Sequence, residues 1–101
     1  MKLILGNPGS GKTKALLALS EKNNVPILAE SDARVQRLLV KASNYGFNIP
    51  TPLTVNDLDS SVAAVYVDDV QRLLETILHV NVASITINRD ENLEIKDLDL
   101  N

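Results

Sequence analysis

Two rhythms of hydrophobic and polar positions run along this chain. Continuous apolar stretches at Leu3–Leu5, Val25–Ala29, Val62–Val67 and Val82–Ile87 have the length and β-branched content of buried strands. Between them the period lengthens to that of a helix. Lys12 to about Glu21 is rich in Ala and Leu, and Val35, Leu38, Leu39 and Ala42 fall at i, i+3, i+4 and i+7. Val70, Leu73, Leu74, Ile77 and Leu78 repeat that stripe and predict a third helix. Ser31 is placed to cap the second helix and Gly46 to stop it. Residues 47–61 are irregular, because Pro50 and Pro52 exclude a helix, although Thr54 to Asp57 has the spacing of a capping box around one helical turn. After a turn at Asn88–Asn92, Leu93, Ile95, Leu98 and Leu100 predict a last strand or a packed tail.

Strands alternating with helices predict an α/β domain: a mostly parallel sheet of about four to five strands with helices on both faces, in three layers. The 101 residues make one domain, residues 1–101, in which 90–101 form an acidic tail or edge strand. At 45% hydrophobic and 3% aromatic residues the core is aliphatic. No apolar run approaches the roughly 18 residues of a membrane span, and Met1-Lys2 before a short stretch broken at Gly6 lacks the form of a signal peptide. With no cysteine there is no disulfide framework and no thiolate metal site, and cytoplasm is the default location. The net charge of −3 is uneven: Asp90, Glu91, Glu94, Asp97 and Asp99 against Lys96 give the tail −4 and leave +1 for the rest. Such a balance disfavours tight, salt-driven nucleic-acid binding by the chain alone.

The chemistry lies in GNPGSGKT, residues 6–13, between the first strand and the first helix. Gly6, Gly11, Lys12 and Thr13 match G-x-x-x-x-G-K-[ST] at every fixed position. A loop that wraps a polyphosphate must turn successive N–H groups inward, which Gly6, Gly9 and Gly11 permit. The expected nucleotide-binding stretch is Gly6, Asn7, Pro8, Gly9, Ser10, Gly11, Lys12, Thr13 and Lys14. Lys12 supplies charge to the β/γ oxygens, Thr13 a hydroxyl ligand for Mg²⁺, and the helix a positive dipole end. Further on, AAVYVDD ends an apolar strand in Asp68 and Asp69. Asp68, at a strand's carboxyl end, is the second expected Mg²⁺ ligand, with an ordinary helix cap as its structural alternative.

On these two motifs, residues 2–88 resemble the core of a P-loop NTPase. The strand-helix unit between them resembles the additional-strand class of ATPases, which includes helicases, recombinases and AAA+ proteins. That resemblance implies that Val82–Ile87 lies between the loop strand and the acidic strand, with Thr86 or Asn88 near the γ-phosphate and attacking water. It also implies that Asp69 is the catalytic base, where the class more often has Glu, and hence slow or partner-dependent hydrolysis. The expected catalytic set is therefore Lys12, Asp69 and Asn88, with Thr13 and Asp68 holding the metal. VPILAESDARVQRLLVKASNYGFNIPTPLTVNDL, followed by VYVDDVQRLLETIL and ASITIN, is similar to small phage-type ATPases and implies a nucleic-acid-associated role in a host cytoplasm.

The remaining signals are weaker. GTP is disfavoured, because Asn88-Arg89-Asp90 lacks the spacing of Asn-Lys-x-Asp and no Asp-x-x-Gly switch exists. Arg34, Arg37 and Lys41 form a basic stripe on the second helix, read as a solvated face or, alternatively, a groove for single-stranded DNA. The chain is thus expected to bind ATP with Mg²⁺ and hydrolyse it, as a homo-oligomer or on a larger protein partner, with no membrane. A non-hydrolysing nucleotide-binding interaction module is the alternative. A small-molecule kinase has least support, since no substrate-binding insert fits.

Overall fold

The computed structural model describes residues 1–100; Asn101, the last residue of the expected tail, lies outside them. In chain order the elements are β1 (Lys2–Leu5), α1 (Lys12–Asn23), β2 (Ile27–Leu28), α2 (Asp32–Tyr45), a 3-10 turn (Val55–Asp57), β3 (Tyr66–Val67), α3 (Val70–Leu78) and β4 (Glu94–Asp97). They form a compact α/β domain with parallel strands and three helices. None of the described helices is long and apolar enough to cross a membrane.

Local chemistry sets the helix ends. The Ser31 hydroxyl accepts the Arg34 N–H at 3.2 Å and starts α2. Gly46, at φ +78°, stops it in the left-handed conformation that glycine adopts without strain. The end of α1 is tied inward: buried Ser20 donates its hydroxyl to the Val25 carbonyl at 2.6 Å, which satisfies a polar atom in the core and turns the chain toward β2. Around Thr54 the expected capping box is present, with the Asp57 carboxylate accepting the Thr54 N–H at 2.9 Å.

The core joins α1, β2 and α2 through Leu16, Leu17, Ile27, Ala29, Val35, Leu38 and Ala42, with Ile4, Leu39, Phe47, Ile49 and Tyr66 packed at its margin. Leu17, Ile27 and Leu38 are fully buried, and each such side chain stabilises the fold by about 1.5–3 kcal/mol. The stripe predicted for α2 faces this core.

The strands make two parallel pairs. β1 pairs with β4 in the register Lys2↔Glu94 to Leu5↔Asp97, so the tail predicted as a strand or packed segment is a strand beside β1. β2 pairs with β3, Ile27↔Tyr66 and Leu28↔Val67. On the other edge of β2, Leu53 exchanges backbone hydrogen bonds with Ile27 and Ala29 at 2.8 and 2.7 Å. The proline loop thus covers an edge that would otherwise offer free N–H and C=O groups.

Three expectations need correction. The strand expected over Val62–Val67 shortens to Tyr66–Val67. Val82–Ile87 forms no strand; residues 81–90 have no regular structure, and Ile85 and Ile87 are exposed. The cause is visible at the segment's start, where the Glu75 carboxylate of α3 accepts the Val82 N–H at 2.7 Å and Gln71 donates to its carbonyl at 3.5 Å. A charge-assisted bond to a helix replaces the first ladder bond. The four strands therefore stay in two pairs, and β1 and β3 each keep an unpaired edge. Lastly, the apolar stripe of α3 is only partly covered: Leu73 is buried, whereas Val70, Ile77 and Leu78 are exposed.

Leu38→Ala is expected to lower the unfolding free energy by about 2–5 kcal/mol, since it opens a cavity at the centre of the core. Ile85→Ser, in the exposed segment, should change it by less than about 0.5 kcal/mol. Urea unfolding of both variants checks the pair, and comparable losses would contradict the exposed placement of Ile85.

Candidate functional site

The loop from Gly6 leaves the carboxyl end of β1 and enters α1. It closes tightly: the Ser10 N–H donates to the Asn7 carbonyl at 3.0 Å across Pro8-Gly9. Gly9 and Gly11 have φ of +82° and +91°, as expected of residues chosen for that freedom. At Gly6 the constraint is space, because a Cβ there would lie 2.2 Å from the Ser10 hydroxyl oxygen. That hydroxyl is buried and has no hydrogen-bond partner, an unusual state for a polar atom.

Lys12 folds back over the loop and donates from Nζ to the Gly6 and Asn7 carbonyls at 2.7 and 2.9 Å. Its charge is thereby held at the mouth of the loop. The first turn of α1 has no acidic residue and no side-chain cap. Instead Lys12 and Lys14 stand there, and a cation at the positive end of a helix dipole costs about 0.3–1 kcal/mol. An anion reverses that balance. The Lys14 ammonium also lies 5.1 Å from the centre of the Tyr45 ring, a cation–π contact with the end of α2.

The two motifs meet across 55 residues: the Thr13 hydroxyl lies 3.3 and 3.4 Å from the two carboxylate oxygens of Asp68. Both are hard oxygen donors of the kind Mg²⁺ takes. Among the described residues there is no group of three or more His, Cys, Asp or Glu that could hold a metal. A divalent ion at Thr13 and Asp68 would therefore draw its other ligands from phosphate and water, which is how Mg²⁺ is usually held with nucleotides. The donors present fit the ion.

Asp68 has a further partner that the pattern did not reveal. Arg34, in the first turn of α2, forms an ion pair with its Oδ2, and the two side chains are only 12% and 10% exposed. Reading Arg34 as one member of a solvated or DNA-facing stripe is thus corrected; Arg37 and Lys41 remain exposed. Arg34 stands three residues after the cap of a helix that follows β2, which by itself does not separate it from Arg37 and Lys41. That placement becomes informative only once β2 and β3 are known to be neighbours.

The other expected residues are arranged differently. The carboxylate of Asp69, not of Asp68, caps α3: it accepts the Arg72 N–H at 3.2 Å, and Asp69 is exposed at φ +59°. Thr86 and Asn88 are exposed in the irregular segment and make no hydrogen bond among the described residues. Asp99 of the tail accepts the Asn7 N–H, a contact with the loop that neither motif predicted. No protein-family model, no curated protein and no solved structure matches the chain.

Asp68→Ala would leave Arg34 without its counter-ion, and is expected to lower the unfolding free energy by about 3 kcal/mol without any ligand. Asp69→Ala removes only a helix cap and should cost about 1 kcal/mol. Chemical denaturation of the two variants side by side checks the order.

Proposed function

We propose that this chain is a Mg²⁺-dependent ATP-binding domain with a P-loop core, and that it hydrolyses ATP slowly. The observation that carries the reading is the convergence of Thr13 and Asp68 at the mouth of a loop whose lysine is already folded over it. The uncapped first turn of α1, its two lysines and the unpartnered Ser10 hydroxyl support an anion there. In this reading Lys12 and the loop N–H groups bind the β/γ phosphates, the Asn7 N–H only after the Asp99 carboxylate releases it, and Thr13 and Asp68 hold Mg²⁺. A metal ion held there would supply positive charge against that of the phosphates. The finer architecture follows: Val82–Ile87 placed between β1 and β3 would pair both bare edges and join the strands into one parallel sheet of three-layer type. It would also bring Asn88 to the carboxyl edge.

A second reading, a nucleotide-binding interaction module that does not hydrolyse, is favoured by one feature. The carboxylate of Asp69 is engaged as the cap of α3 rather than free to orient water. A base role for Asp69 requires release of that bond, and a sensor role for Asn88 requires ordering of its segment. Both point to hydrolysis that depends on a further copy, a larger protein or single-stranded DNA, in a phage or other nucleic-acid-processing machinery.

Calorimetric titration with Mg-ATP, and phosphate release across protein concentration with and without single-stranded DNA, test these readings. Lys12→Ala should weaken ATP binding by roughly ten- to a hundred-fold, the worth of a charge-assisted contact. Asp69→Asn should keep binding and lose turnover. Binding without turnover under every condition favours the interaction module, and folded wild-type protein that binds no nucleotide overturns both readings.

A further inference from the structure

Asp68 already has a cation. Arg34 contacts its Oδ2, while the Thr13 hydroxyl lies within 3.4 Å of both of its oxygens. Arg34 differs from the rest of its stripe in being nearly buried, and its position is set by the Ser31 cap, whose hydroxyl takes its backbone N–H. An arginine in the first turn of a helix faces the positive dipole end, an unfavourable place unless a carboxylate shares it. Asp32 stands in the same turn, and Asp68 is the carboxylate that the Arg34 side chain contacts. Breaking a buried ion pair leaves an uncompensated charge, so the pair holds the Asp68 carboxylate beside Thr13 when no metal is bound.

A divalent ion on the same carboxylate would put two like charges on one group in a poorly solvated place. Resting on the Mg-nucleotide reading above, we propose that Arg34 is the resident counter-ion of Asp68. It positions the carboxylate beside Thr13 before metal binds and gives up Oδ2 when Mg²⁺ arrives with a nucleotide, so that metal binding and the Arg34–Asp68 pair exclude each other. Arg34 is a positioning residue in this scheme, and it makes metal affinity weaker than the two ligands alone would set it. The distinguishing consequence is that loss of a buried, stabilising side chain increases affinity for the metal.

The experiment measures Mn²⁺ binding by electron paramagnetic resonance, with a non-hydrolysable ATP analogue present, for wild type, Arg34→Ala and Arg34→Lys. Melting is followed in parallel in chelator. Arg34→Ala should melt lower without metal yet bind Mn²⁺ more tightly, by roughly five-fold or more, the lower range of site-to-site coupling. Arg34→Lys should fall between it and wild type. On the wild-type protein, the Arg34 Nε–Hε signal in a ¹H–¹⁵N spectrum should move when Mg²⁺ and ADP are added together. That measurement decides the matter even if Arg34→Ala does not fold. Unchanged or weaker Mn²⁺ binding in a folded Arg34→Ala, or an Arg34 signal indifferent to Mg²⁺ and ADP while the nucleotide binds, overturns the exchange and leaves the nucleotide reading standing. Wild-type protein that binds neither nucleotide nor Mn²⁺ overturns both.

Discussion

A carboxylate taken out of water has to be matched, and Asp68 is matched by groups from two helices. Thr13 approaches from the first turn of α1 and Arg34 from the first turn of α2, while Asp68 itself follows β3. Three elements are thereby pinned at their site-bearing ends by one side chain. The aliphatic core beneath, through Leu17, Ile27 and Leu38, supplies most of the stabilisation but little direction. The polar junction supplies direction, because its distances and charges are satisfied in few arrangements. Rigidity in the core and specificity at the junction together hold the glycine loop opposite an acidic strand end.

The other half of the molecule is built differently. β1 and β3 keep bare edges, α3 shows Val70, Ile77 and Leu78 to solvent, and the segment after it carries exposed Ile85 and Ile87. The radius of gyration, 13.8 Å, is slightly above the roughly 13 Å of a tightly packed chain of this length. Apolar side chains and unpaired strand edges of this extent are surfaces that association or rearrangement tends to cover. The bare edges of β1 and β3 run up to Gly6 and Asp68, while the exposed apolar side chains lie on α3, which Asp69 caps, and in the segment that holds Asn88. An ordered junction of the glycine loop, Thr13, Asp68 and Arg34 thus stands next to a helix and a following segment whose apolar side chains are open to solvent.

Legibility in the sequence followed the range of the interaction. The loop glycines, the Ser31 cap, the Gly46 stop and the box at Thr54 act within a few residues and were readable as patterns. So was the stripe of α2, since a helical period aligns Val35, Leu38 and Ala42 whatever they meet. Val82–Ile87 misled for the complementary reason. An apolar β-branched run states a preference for a sheet, but a strand forms only with a partner edge, and Glu75 binds its first N–H instead. Arg34 misled too: its spacing to Arg37 and Lys41 is that of a solvated stripe, and nothing local marks it as the one that turns inward.

From sequence alone came the glycine loop, the helices, the cap and stop of α2, an aliphatic core and the two acidic residues at a strand end. Each depends on residue type and short spacing, and these survive any tertiary arrangement. Only the folded chain decided which carboxylate faces Thr13 and which caps α3. It also decided that Arg34 neutralises Asp68, that the tail pairs with β1, and that Asp99 reaches the Asn7 N–H. Those outcomes join residues 34, 55 and 92 positions apart. At such separations local propensity carries no information, and burial, charge pairing and free strand edges select the partner.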